Sequence, residues 1–192
     1  MGVLRKPQVP ASDVYLVAPR LFRLAPAEAV EFFIAAGPDR LEPEKLLPAF
    51  GPFLAALKKK KKEEEEEEKE DPAVTCAAAA DVADDAVHKR EAIRFLQHAV
   101  TRQMCTHGSV HNCLLLLLVD RFPEDPNALM RYVAGAGMSS GGKAHYDQAL
   151  AGKLCEETGA LKAAIHIHCD VGDYEYAVEL ALRVDDLSLI HI

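Results

Sequence analysis

The feature that most constrains the fold is a glycine turn followed by small and apolar residues, found twice near the carboxyl end. The two copies read GALKAA at 159–164 and GDYEYA at 172–177. After the second turn, Ala177, Leu180 and Ala181 continue one face at helical spacing. Small residues at such positions let successive helices approach closely, as they do in stacked helical hairpins. The pattern predicts an irregular α-solenoid of antiparallel helical hairpins.

Proline and glycine divide the rest of the chain into short apolar stripes of helical period. Only 6% of residues are aromatic, none is Trp, and much of the 49% hydrophobic share is Ala. This composition favours helices over sheets, so we predict an all-α protein. The predicted helices are 26–36, 43–57 (divided at Pro48 and Pro52), 91–104, 110–122, 127–134, 144–157, 161–171 and 174–184.

A block of charged residues separates two parts of the chain. Five lysines at 58–62 are followed by six glutamates at 63–68. Such a run forms an exposed single helix or stays disordered, and we predict a solvated insert with no chemistry of its own. The predicted organisation is N-terminal helical hairpins (1–57), the charged low-complexity insert (58–72), a helical-repeat solenoid (73–186) and an atypical tail (187–192).

Charge and cysteine content exclude several functional classes. With 22 Lys and Arg against 30 Asp and Glu, the net charge is −8, which gives no basic footprint for nucleic acid. The five cysteines do not form a disulfide framework. No apolar run approaches the roughly 20 residues of a membrane span, and the first residues lack the apolar core of a signal peptide. We therefore expect a soluble cytoplasmic protein with reduced thiols.

Two clusters of histidine and cysteine are candidate metal sites. Cys105, His107, His111 and Cys113 are zinc-compatible, but they lack a CxxC pair. Residues two apart on a helix, as His111 and Cys113 are, point about 200° apart. The cluster of His166, His168 and Cys169 has the same defect. Core thiols and interface histidines are the favoured interpretation, and we predict no tight zinc site.

Nucleotide and acid–base motifs are also weak. GMSSGGK at 137–143 fits the body of a phosphate loop, but Ala144 replaces the magnesium-binding Ser or Thr, and a helix is predicted before it where a strand is required. The carboxylate pairs Glu156-Glu157 and Asp185-Asp186 are at predicted helix ends, where we expect them to be solvated. No nucleophile elbow is present. The sequence therefore predicts no catalytic, cofactor-binding or metal-binding residue, and no enzyme.

From residue 26 onward the sequence resembles one family, that of vacuolar protein sorting-associated protein 18. The stretches that carry the resemblance are AEAVEFFIAAG, LEPEKLLPAF, EAIRFLQHAV, VHNCLLLLLVDRFPEDPNALMRYV, HYDQALAGKLCEETGALKAAIHIH and DYEYAVELALRVD. Their order is colinear over roughly residues 14 to 186, apart from the charged block. The stretches resemble the clathrin heavy-chain-repeat part of the family, which is an α-solenoid.

The resemblance implies a scaffold segment of the HOPS and CORVET membrane-tethering complexes, without a cofactor or a catalytic residue. The implied partners are the other core subunits, and SNARE proteins through the complex, at the surface of endosomes and the vacuole or lysosome. The N-terminal β-propeller and C-terminal RING of the family have no counterpart in these 192 residues. The last six residues depart from the family pattern, and we expect them to be a truncated or foreign tail.

Two alternatives remain at this point. A stand-alone TPR-like peptide-binding module would need Asn and basic residues as a carboxylate clamp, yet Asn112 and Asn127 lack a regular set of basic partners. A zinc-dependent protein would be built on residues 105–113. On the solenoid interpretation, Ala177, Leu180, Ala181 and Val184 are expected to face an absent next helix. The isolated chain would then self-associate or require partner subunits.

Overall fold

The computed structural model describes residues 10–51, 78–138 and 142–184. Across these ranges the chain is helical, and its one extended pairing is an isolated bridge between Met138 and Ala144, which confirms the all-α prediction. The helices of the described part are α1 (Ala11–Leu24), α2 (Pro26–Ala36), α3 (Pro43–Leu46), α4 (Ala78–Thr101), α5 (Gly108–Asp120), α6 (Pro126–Arg131), α7 (Gln148–Glu157), α8 (Leu161–Val171) and α9 (Tyr174–Val184). A 3-10 turn (Leu47–Ala49) follows α3, and a π turn (Tyr132–Ala136) follows α6.

The chain forms two compact units, and it passes from one to the other between Phe95 and Leu96, within α4. The predicted insert at 58–72 and the tail at 187–192 lie outside the described residues, so the predicted boundaries there stay predictions.

The first unit has an aromatic core. The rings of Phe22 and Phe50 meet edge to face with centroids 4.8 Å apart, and Phe95 lies 5.6 Å from Phe50 and 5.9 Å from Phe33. Edge-to-face pairs align the positive ring edge with the negative ring face, which adds to the burial energy of the rings. The buried His88 joins this core and donates from Nε2 to the backbone oxygen of Arg23 at 3.2 Å.

Proline sets the helix ends in the first unit. Pro26 is the first residue of α2, where its missing N–H costs nothing, and it leaves α1 and α2 separated by Ala25 alone. Pro48 falls in the 3-10 turn that ends α3, which confirms the predicted division of the 43–57 segment at that residue. The second predicted break, at Pro52, lies outside the described residues. Helix α1 was not among the predicted helices. It carries Pro19 in its interior and holds Val14, Ala18 and Phe22 in the core.

In the second unit, α5 is the most apolar helix. Leu114, Leu115, Leu117 and Leu118 are all buried and Leu116 is half-buried, so apolar contacts surround the helix as its all-round leucine run indicated. It packs against α6 and α7. Helix α6 begins at the N-cap Asp125, whose Oδ1 accepts from the backbone N–H of Ala128 at 3.1 Å.

Helices α7, α8 and α9 pack in sequence, with α8 between the other two. Small residues form these contacts, as the repeated glycine-turn pattern predicted: Ala151, Gly152, Ala163, Ala164, Ala177 and Ala181 are buried. At Gly152 the approach is tightest, because a Cβ there would lie 3.2 Å from Nε2 of His168. Gly172 has φ of 89° and ends α8, which suits glycine because this left-handed conformation strains other residues.

Some predicted helix limits were wrong. Helix α7 begins at Gln148, four residues later than predicted, because the Asp147 carboxylate caps it by accepting from the backbone N–H of Leu150 at 3.1 Å. Helix α4 begins 13 residues earlier than the predicted Glu91 and ends at Thr101. Met104, predicted as part of its apolar stripe, is 74% exposed and has a φ of 52°.

Candidate functional site

Helix α9 carries an apolar stripe that faces solvent. Tyr174, Val178 and Leu182 are spaced by four residues, so they share one face of the helix. Tyr174 is 51% exposed, Leu182 is 58% exposed, and Val178 is half-buried. We call these three residues the α9 outer stripe. The sequence shows this spacing of four residues, but Ala177 and Ala181 on the neighbouring face have the same spacing, so the spacing alone does not identify the exposed face.

The predicted exposed face was wrong. Ala177, Leu180 and Ala181 are fully buried, and Val184 is half-buried. This inner seam packs on α8, which is already present in the chain and needs no further helix. The exposed apolar face of α9 is the outer stripe, on the adjacent side of the helix.

Acidic side chains border the stripe. Glu175 and Glu179 each follow a stripe residue by one position, which places them on the side of the stripe away from the inner seam. Both are exposed, and Arg183 follows Glu179 by one helical turn on the same edge of the helix. The outer surface of α9 is therefore an apolar strip with charged side chains of both signs along one edge.

A polar network fixes α9 on the two helices before it. Glu156 at the end of α7 accepts from His168 Nε2 of α8 at 3.1 Å and from the Tyr176 hydroxyl of α9 at 2.7 Å. The hydrogen bond to Glu156 raises the pKa of Tyr176. Asp173 adds a carboxylate 3.7 Å from His168 Nδ1. One carboxylate thus links three successive helices, which holds the outer stripe in a defined position.

This network corrects the prediction for the pair Glu156-Glu157. Glu157 is exposed and lies 3.8 Å from Lys153, but Glu156 is half-buried and accepts two hydrogen bonds, so it is a structural acceptor. The second pair, Asp185-Asp186, lies outside the described residues.

A second polar centre lies in the core of this unit at His111. Its Nε2 is 2.8 Å from the backbone oxygen of Cys105, and because a carbonyl only accepts, Nε2 carries the hydrogen. Burial, together with His145 nearby, lowers the pKa of His111. The Tyr132 hydroxyl donates to the backbone oxygen of His111 at 3.1 Å and lies 2.8 Å from Nδ1 of its ring. The ring therefore ties the loop before α5 to the end of α6.

The structure separates the residues of the first candidate metal cluster. His111 uses both ring nitrogens within the fold, His107 is an exposed N-cap residue of α5, and Cys113 is buried with its thiol pKa raised to about 12 by burial. The thiol of Cys105 lies in a half-buried loop. Among the described residues no group of three or more His, Cys, Asp or Glu side chains is placed to hold a metal ion.

The second candidate cluster is divided between faces of α8. His166 Nδ1 donates to Asp170 Oδ2 at 3.0 Å within the helix, whereas His168 turns toward Glu156 of α7. Cys169 is half-buried, and burial raises its thiol pKa. The two histidines therefore act separately, as their spacing indicated.

The phosphate-loop match and the peptide-clamp residues have ordinary structural roles. The π turn and α6 precede Gly137, where a phosphate loop would need a strand, and residues 139–141 lie outside the described part. Asn112, considered for a carboxylate clamp, accepts from the backbone N–H of Asp147 at 2.8 Å and so positions the start of α7. Asn127 lies exposed in the first turn of α6.

The first unit also has an exposed apolar face, on α1. Leu16 and Leu24 are 81% and 73% exposed, and Val17 and Leu21 are exposed between them. The charged residues beside this face include Arg20 and Arg23. As for membrane insertion, a search of the described helices finds none with both the length and the apolar character of a bilayer span.

Comparison with known proteins places the whole chain in one family. The family model described as "VPS18, alpha-solenoid domain, second half" matches residues 1–191. No solved structure matches the chain.

Three curated relatives show the extent of the similarity. The vacuolar protein sorting-associated protein 18 homolog of Danio rerio is 28% identical over 171 residues, which is 89% of this chain and 14% of the relative. The vacuolar sorting protein 18 of Arabidopsis thaliana is 27% identical over 188 residues, 96% of this chain and 16% of its own length. The vacuolar protein sorting-associated protein 18 homolog of Drosophila melanogaster is 26% identical over 171 residues, which is 89% of this chain and 14% of the relative. The chain thus spans about a seventh of the relatives it matches, and it belongs to the VPS18 α-solenoid family, in the second half of that solenoid.

Proposed function

We propose that this chain is a scaffold segment of a vacuolar sorting complex, specifically of the HOPS and CORVET tethers that dock vesicles at endosomes and the vacuole or lysosome. The observation that carries the proposal is the family match over residues 1–191, which falls on a solenoid half. Relatives along most of this chain are named for vacuolar protein sorting. The partners that we propose are the other core subunits of the tether, with SNARE proteins reached through the complex.

The structure supports a scaffold role in two ways. Helices α7, α8 and α9 stack through small residues and are linked by the Glu156 network, which is the architecture that lets a solenoid present long surfaces. Exposed apolar faces remain on α1 and α9, and contiguous apolar surface of this kind marks interaction sites. We assign the chain no catalytic role.

A stand-alone TPR-like peptide-binding module is the less favoured function. Its carboxylate clamp needs an asparagine side chain that is free to meet the peptide. The Asn112 side chain is instead used within the fold, where it holds the backbone N–H of Asp147.

Co-purification tests the proposed function. The tagged full chain is co-expressed with the other core tether subunits of its source organism, and capture of the tag is expected to retain at least one of them. The Leu180→Asp variant, which places a charge in the fully buried inner seam, should lose this capture together with helical structure. Failure of the wild-type chain to retain any core subunit, while circular dichroism shows its full helical content, would contradict the proposal.

A further inference from the structure

We draw no further inference here: the strongest candidate, the exposed apolar surface patch of α1 formed by Leu16, Val17, Leu21 and Leu24, carries no proposal because nothing in the described part of the chain shows what covers it.

Discussion

Two leucines on α9 provide a direct test of which face of this helix is inside. Leu180 is fully buried in the inner seam, and Leu182, two residues later, is 58% exposed in the outer stripe. Truncating a buried leucine to alanine removes transfer free energy and leaves a cavity, which costs about 2 to 5 kcal/mol. Truncation of an exposed leucine on the same helix typically costs within about 0.5 kcal/mol. Since both changes are Leu→Ala in one helix, helix propensity contributes equally to both variants.

The two variants are compared by thermal unfolding followed by circular dichroism at 222 nm. For a chain of this length each kcal/mol lowers Tm by roughly 2 to 4 °C, so Leu180→Ala should lower it by about 4 °C or more. Leu182→Ala should remain within about 2 °C of the wild-type chain. Equal losses, or a larger loss for Leu182→Ala, would refute the orientation of α9 and with it the outer stripe.

Three further measurements follow from the polar groups of the second unit. Burial lowers the pKa of His111 below 6.5, so the unfolded chain binds a proton at this imidazole more readily than the folded chain does. The stability that the neutral His111 contributes is therefore complete above pH 6.5 and falls as the pH drops below 6.5. Urea midpoints measured from pH 7.5 to 5.5 should decrease accordingly. Burial raises the thiol pKa of Cys113 and of Cys155 to about 12, so in the native chain mass spectrometry should find iodoacetamide on Cys169 well before either of them. Tyr176→Phe removes one hydrogen bond to Glu156 and should lower the urea midpoint of the α7–α9 stack, and an unchanged urea midpoint would show that the link contributes nothing.

The limits of the carboxyl-terminal helices could be predicted to the residue because they depend on the residues at the helix ends themselves. Gly159 and Gly172 adopt positive φ in the turns, and α8 and α9 occupy the predicted ranges 161–171 and 174–184. Pro26 and Gly37 likewise mark the ends of α2. These limits depend on backbone conformations that few residues favour, so a single sequence shows them.

The helix limits that were predicted wrongly depend on contacts between residues that are far apart in the sequence. The start of α7 is set by Asp147, whose carboxylate caps the helix and whose N–H is held by Asn112, 35 residues earlier. The hydrogen bonds of Glu156 likewise join distant parts of the sequence: His168 lies 12 residues and Tyr176 20 residues after Glu156. A carboxylate at a predicted helix end looks solvated until the neighbouring helix is placed against it.

The choice between the two faces of α9 shows why its function needed the fold. Apolar residues occupy two adjacent stripes, Ala177 with Ala181 and Tyr174 with Val178 and Leu182, and both have helical spacing. The structure places the stripe of small residues inside, because alanines allow α8 to approach closely, and it leaves the larger side chains outside. A helix at a surface that meets only water needs one apolar stripe, whereas a helix between two neighbours needs both. The second stripe is therefore the feature of α9 that its packing on α8 does not explain.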